Sequence, residues 1–208
     1  LIYGLGGVLS LAHGQFAVVA GVVAALLIGQ GLHAIWASLL GILAAGIFGL
    51  VIDRSLLVPA YRYKGEERLL LGLLLTLGLS FVVDGYLSYQ MPDVALTLRL
   101  PAPSFSVAGI TIRTASAATS LLAVLAFLLL FGFLRGTLLG KAVRSIIQNE
   151  VGAELCGINP ARTRTLIVGL STLMAGLAGI AQGLFSSLGP EMGVEITIQG
   201  LNVAVVGG

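Results

Sequence analysis

The chain has 208 residues, 57% hydrophobic and 10% charged, with mean hydropathy +1.05. A soluble domain usually carries about 25% charged residues, so these values exclude an ordinary globular protein and indicate an integral membrane protein. Net charge is only +2 and the basic residues lie in loops rather than on one face, which excludes a nucleic-acid partner; a single cysteine, Cys156, excludes an intrachain disulfide. That cysteine is expected to be a small buried hydrophobe.

Charges divide the chain into apolar runs. Leu1 to Gly29, Ala34 to Ile52, Leu69 to Tyr89, Ala115 to Leu134 and Leu166 to Leu188 each approach the roughly 20 residues that a helical crossing needs. Asp84 alone interrupts the third run, near its outer end, where a surface-facing anchor and a coupling-ion site both fit. Ile196 to Gly208 begins a sixth run. The first run is too long for one crossing, so Leu1 to Ala12 is expected to belong to a preceding broken span. Gly4, Gly6, Gly7 and Gly14, grouped around Ser10 and His13, suit such a break. The expected fold is therefore all-α: a polytopic transmembrane helix bundle with broken or re-entrant segments and about five complete spans. Residues 1–208 read as one transmembrane domain, a fragment whose two apolar ends interrupt membrane segments.

Within the first run, Ser10 to Gln15 is the one polar cluster. Polar side chains at this depth face either a protein interior or a watery path, and both readings fit Ser10, His13 and Gln15. Small residues four apart at Gly41, Ala45 and Gly49, at Gly132, Gly136 and Gly140, and at Ala175, Gly179 and Gly183 suggest faces for close helix packing.

Nine of the eleven basic residues fall in two places: Arg54, Arg62, Lys64 and Arg68 in one loop, and Arg135, Lys141, Arg144, Arg162 and Arg164 in another. Alternating spans put both on one side, which the excess of Lys and Arg makes cytoplasmic. The opposite side receives the Gln30 to His33 link, Gly189 to Glu195, and an extended Met91 to Thr114 loop with a short hairpin expected around Ala108 and Gly109.

The segment from Arg135 to Arg164 holds seven charged side chains between two apolar runs. Val143, Ile147, Val151 and Leu155 recur every fourth residue, predicting an amphipathic helix of three to four turns, with Gly157 as its stop and Asn159-Pro160 starting the next span. Such a helix rests on lipid headgroups or docks into a soluble partner; Glu150 and Glu154 favour the partner, because acids gain nothing from anionic lipid. Nearby, Gly136 to Ala142 fails as a phosphate-binding loop, since Arg135 and Ala142 stand where glycine and a hydroxyl are required. Nucleotide energy must then come from another chain. No hydrolytic triad, paired carboxylates or metal-ligand motif stands at membrane depth, so the chain is not expected to be an enzyme, to bind a metal or to carry a cofactor of its own.

Three segments, Gly7 to Phe16, Gly140 to Asn159 and Gly200 to Gly208, together resemble the branched-chain amino-acid permease family, membrane subunits of bacterial and archaeal ABC importers. The resemblance covers nearly the whole chain in order. It implies a second permease subunit, identical or paralogous, cytoplasmic ATPase subunits that bind the ATP, an extracytoplasmic amino-acid-binding protein, and a multi-pass location in the inner or plasma membrane. It also implies that Ser10, His13, Gly14 and Gln15 lie near the translocation pathway, and that residues 140–158 form the coupling helix, with Gly140, Lys141, Arg144, Ile147, Asn149, Glu150, Leu155, Gly157 and Ile158 at the ATPase contact. Alternating access is the mechanism so implied. Urea, short amides and other small solutes carried by related permeases, and an ion- or proton-coupled secondary carrier using Asp84, are the alternatives.

Overall fold

In lipid, helices gain little from burying large apolar side chains and much from bringing backbones close, so small residues belong inside and large ones outside. This chain follows that rule. The computed structural model describes residues 10–61, 63, 66–90, 105–107, 110–112, 114–189 and 191–207. The elements are α1 (His13–Gly29), α2 (Ala34–Ile52), a π-turn (Asp53–Leu57), α3 (Val58–Ala60), α4 (Glu66–Gln90), β1 (Phe105–Val107), β2 (Ile110–Ile112), α5 (Thr114–Gly136), α6 (Leu138–Gln148), α7 (Glu150–Leu155), α8 (Pro160–Phe185) and α9 (Met192–Gly207). The expected break within residues 1–9, the proline-bearing stretch 91–104, and Arg62, Lys64 and Arg113 lie outside the described residues.

The polytopic helical bundle is as expected. Among the described residues, four continuous helical stretches are long and apolar enough to cross a membrane: Ala34–Ala60, Glu66–Gln90, Thr114–Gly136 and Pro160–Phe185. In the first apolar run the described helix starts at His13 and has 17 residues, the part left once Leu1 to Ala12 is set apart. Arg54 departs from the sequence reading. Rather than opening a loop, it continues the helix of α2 through the π-turn into α3.

α1, α2 and α8 form the centre of the bundle. On α2, Ala37, Gly41, Ala45 and Gly49 are buried, whereas Ile35, Trp36, Leu43 and Ile47 are exposed. On α8, Ala175, Gly179 and Gly183 are buried in the same manner. α1 and α8 come close at Gly179, where a Cβ would overlap the backbone carbonyl of Ala17. The third small-residue series behaves differently: Gly132 and Gly136 have open space where a Cβ would stand, and α5 buries no residue at all. Around the glycine-lined centre, Phe16 packs edge-on against Phe48, with ring centroids 5.8 Å apart.

The connections are built from local hydrogen bonds. α1 ends in a turn where Gly31, at φ 91°, donates to the Ile28 carbonyl and Leu32 to the Leu27 carbonyl. His33 then caps α2 through Nδ1, which accepts from the Ile35 amide at 3.4 Å. Four residues thus suffice to reverse the chain. On the expected outer loop, β1 and β2 pair antiparallel with Val107 opposite Ile110, flanking the anticipated hairpin turn.

Candidate functional site

The start of α1 lacks a cap of its own. Ala12 has no side-chain acceptor, so the first amides of the helix need partners from elsewhere. Two threonines on other helices hold this end, one through an amide of the helix and one through Leu11 just before it. Thr197 Oγ1 on α9 accepts from the Gly14 amide at 2.8 Å, and Thr76 Oγ1 on α4 accepts from the Leu11 amide at 3.0 Å. Each hydroxyl in turn donates to a carbonyl of its own helix, Thr197 to Gly193 and Thr76 to Gly72, both at 2.8 Å. Part of a helix end among apolar spans is thereby satisfied by neighbouring helices.

Beside this end lies a cavity of about 400 Å³ between α1, α8 and α9. Ser10, His13, Gly14 and Ala17 line one wall; Ser171, Met174, Ala175 and Ala178 of α8 and Ile196, Thr197 and Gly200 of α9 line the others. Among the described residues, His13 is the one titratable side chain that borders it. Ser171 is buried and its Oγ has no hydrogen-bond partner among the described residues. The cavity therefore offers hydroxyls and an imidazole within mostly apolar walls, a lining suited to a small solute with one apolar end.

Of the four residues assigned to the pathway, Ser10, His13 and Gly14 border this cavity and Gln15 does not. Gln15 is wholly buried on another face of α1, where its Nε2 donates to Ser80 Oγ at 3.1 Å and its amide packs directly on Gly193. Sequence reasoning missed Ser171, Thr76 and Thr197. For Thr76 and Ser80 a signal existed: they stand four apart on one face of an apolar helix.

The second region is the charged segment between α5 and α8. Thr137 ends α5 and caps α6, its Oγ1 donating to the Phe133 carbonyl at 2.7 Å and accepting from the Gly140 amide at 3.2 Å. Gly140 sits so near the Leu134 backbone that a Cβ would overlap it, and Arg144 Nη1 donates to the Leu134 carbonyl at 2.6 Å. α6 is thus held tightly to the end of α5.

The single amphipathic helix expected over this stretch is two helices. Asn149, extended at φ −157° and ψ 104°, breaks the backbone after Gln148, and its Oδ1 accepts from the Gly152 amide at 3.0 Å to cap α7. The break also splits the predicted apolar stripe. Val143 is buried with Ile146, Ala153 and Ile167, and Ile158 packs on that cluster. Ile147, Val151 and Leu155 instead face outward with Leu138, the last two named being 85% and 82% exposed. Lys141 and Glu154 are exposed beside them. Gly157, at φ 83°, ends α7 by donating to the Glu154 carbonyl while Ile158 donates to Ala153, and Asn159 Oδ1 caps α8 from the Arg162 amide at 3.0 Å. Cys156, expected to be buried, is exposed, because it caps the last turn of α7 where the chain leaves the surface.

Glu150 turns inward from α7. Its Oε2 accepts from Arg164 Nη2 at 2.7 Å, and the Arg164 guanidinium lies 5.1 Å over the Tyr61 ring. Burial, together with the nearby Asp53, pushes the Tyr61 phenol up to about 12, so it stays neutral. Arg68 closes the adjoining turn by donating to the Tyr61 and Tyr63 carbonyls at 3.1 and 2.8 Å. Next along α8, Thr165 Oγ1 donates to Asp53 Oδ2 at 2.8 Å.

Comparison with known proteins gives the family. All 208 residues match the family described as the permease component of the branched-chain amino acid transport system. The chain is 28% identical to the high-affinity branched-chain amino acid transport system permease protein LivH of Salmonella typhimurium, over 100% of its own length and 71% of the relative's. It is equally similar to LivH of Escherichia coli and, over 72% of that relative, to the permease protein BraD of Pseudomonas aeruginosa. No solved structure matches significantly. Full-length agreement with the family, on a bundle of membrane-length helices, makes this chain a member of the branched-chain amino acid transport permease family.

Proposed function

We propose that the chain is a membrane-spanning subunit of an ATP-driven importer that moves branched-chain amino acids by alternating access. It works in the inner or plasma membrane of a bacterium or archaeon, paired with a second permease subunit. An extracytoplasmic binding protein delivers the solute on the side of the Gln30–His33 turn, and cytoplasmic ATPase subunits bind the α6–α7 side. Residues 1–208 then belong to one permease domain, with residues 140–158 as its coupling segment. The cavity beside α1 is where the solute passes, its hydroxyls meeting the polar end of the amino acid and its apolar walls the side chain.

One observation carries the coupling role: Leu138, Ile147, Val151 and Leu155 are displayed outward on α6 and α7 while Val143 and Ile146 anchor the same segment inward. Apolar side chains on a charged surface segment, held rigidly from behind, form a contact for another protein. Gly140, Glu150 and Ile158 then support the segment from inside, whereas Lys141, Ile147 and Leu155 meet the ATPase. A photo-crosslinking residue placed at Leu155 should capture the ATPase subunit, and one at Tyr89, exposed at the far end of α4, should not. Equal capture from both, or from neither, removes the assignment.

Asp84 favours a second reading, an ion-coupled carrier, because its Oδ1 is enclosed without a partner among the described residues. Replacement by Asn abolishes uptake under that reading and leaves it under the first.

A further inference from the structure

Two consecutive residues at the start of α8 connect the surface segment to the end of α2. Arg164, only 7% exposed, holds Glu150 of α7 and covers Tyr61. Thr165, on the same helical turn, donates to Asp53, which is fully buried in the π-turn that ends α2. Neither contact is local: Glu150 and Arg164 are 14 residues apart, and Asp53 and Thr165 are 112 apart.

The π-turn is the unusual element here. Its wider winding inserts an extra residue into a helix that runs without a break from Ala34 to Ala60, and such turns occur in short pieces at places that move or bind. The turn brings Asp53 inward while Arg54 and Ser55 remain exposed. Asp53 Oδ1 is enclosed with no partner among the described residues, so one carboxylate oxygen is satisfied and the other is not. A buried carboxylate in that condition is costly to hold, and a small shift that gives Oδ1 a donor lowers the cost.

We infer that Arg164 and Thr165 are positioning residues that carry movement of α7 into the π-turn at Asp53, linking the ATPase-facing surface to α2 at the centre of the bundle. Displacement of α7 draws on Arg164 through Glu150; Arg164 turns the first turn of α8; Thr165, fixed to that turn, draws on Asp53. α2 and α8 interlock at their glycines, with Leu173 seated on Gly46, Thr172 on Gly49 and Leu50 on Gly169, so a shift of one helix is passed to the other. The inference rests on the reading of α6 and α7 as the ATPase-facing segment.

The test uses the complete transporter, reconstituted with its ATPase, second permease subunit and binding protein, and compares wild type with Arg164→Met, Arg164→Lys, Thr165→Val and Thr165→Ser. Two quantities are measured: ATPase retained on purification, and solute moved per ATP hydrolysed. Loss of fold lowers transport and hydrolysis together, whereas a broken link lowers their ratio. Arg164→Met and Thr165→Val should each retain the ATPase and reduce solute per ATP about tenfold, a size ordinary for coupling between sites. Lys and Ser should recover most of the ratio. An unchanged ratio in Thr165→Val, which exchanges a hydroxyl for a methyl group and takes from Asp53 Oδ2 its donor, overturns the link. So does loss of the ATPase from Arg164→Met, which would make Arg164 a docking residue. If wild type itself shows no ATP-dependent uptake, the importer reading fails; if wild type transports and all ratios are equal, only the link fails.

Discussion

Thr197 Oγ1 accepts a hydrogen bond from the Gly14 amide at 2.8 Å, joining residues 183 positions apart. A helix end that would normally be capped by its own preceding residue is capped by a different helix. The start of α1 and the position of α9 are therefore one structural fact, and both border the cavity.

Removing that hydroxyl should loosen the bundle. Thr197→Val leaves the buried Gly14 amide without its acceptor, with an expected loss of about 1 to 2 kcal/mol. Thr197→Ser should restore most of it. Equilibrium unfolding in detergent, comparing the two variants with wild type, measures the difference; equal stability of Val and wild type would show that the cap contributes nothing.

The small-residue faces predict opposite outcomes at two glycines. A side chain at Gly179 overlaps the Ala17 carbonyl, so Gly179→Val should prevent stable accumulation of the protein in the membrane. Gly132→Val meets open space and should accumulate normally. Quantifying membrane-inserted protein settles both.

Gly200 borders the cavity, and a Cβ there meets nothing within 4 Å. Gly200→Trp should fill the cavity without disturbing the helices around it. Solute uptake is expected to fall at least about tenfold, since a single occluded site outweighs any adjustment of the walls. ATP hydrolysis by the assembled transporter should continue. Normal uptake by this variant would place the solute path elsewhere.

Asn149 separates α6 from α7 and caps the second helix. Asn149→Ala should cost about 1 kcal/mol, the ordinary loss for an N-cap. Its local effect should be larger than its global one, seen as faster amide exchange over Glu150–Leu155 than over α8. Uniform exchange across both would mean that the cap does not hold α7.

Much of the fold was legible because charge is so costly in lipid. The uncharged runs located α2, α4, α5 and α8, and Gly157 with Asn159-Pro160 marked the boundary between α7 and α8 to the residue. The short links were readable for the same reason: Gln30 to His33 contains both a glycine for the turn and a capping histidine. Three features were hidden by physics that leaves no local trace. The period of four from Val143 to Leu155 passes straight through Asn149, so hydrophobic spacing alone describes one helix where a capped break makes two. The π-turn at Asp53 keeps a charged sequence helical because Thr165, 112 residues away, receives its carboxylate. Gln15 belongs to the same polar cluster as Ser10 and His13, and only the positions of α4 and α9 decide that it bonds to Ser80 rather than bordering the cavity.

The central claim is that these spans import an amino acid at the expense of ATP hydrolysed by a partner. Uptake of labelled leucine into vesicles holding the complete transporter tests it most directly, with ATP supplied to the ATPase side and the binding protein to the other. The account predicts uptake that requires both ATP and the binding protein and persists when an ionophore collapses the membrane potential. Uptake that continues without ATP and stops with the ionophore would contradict it.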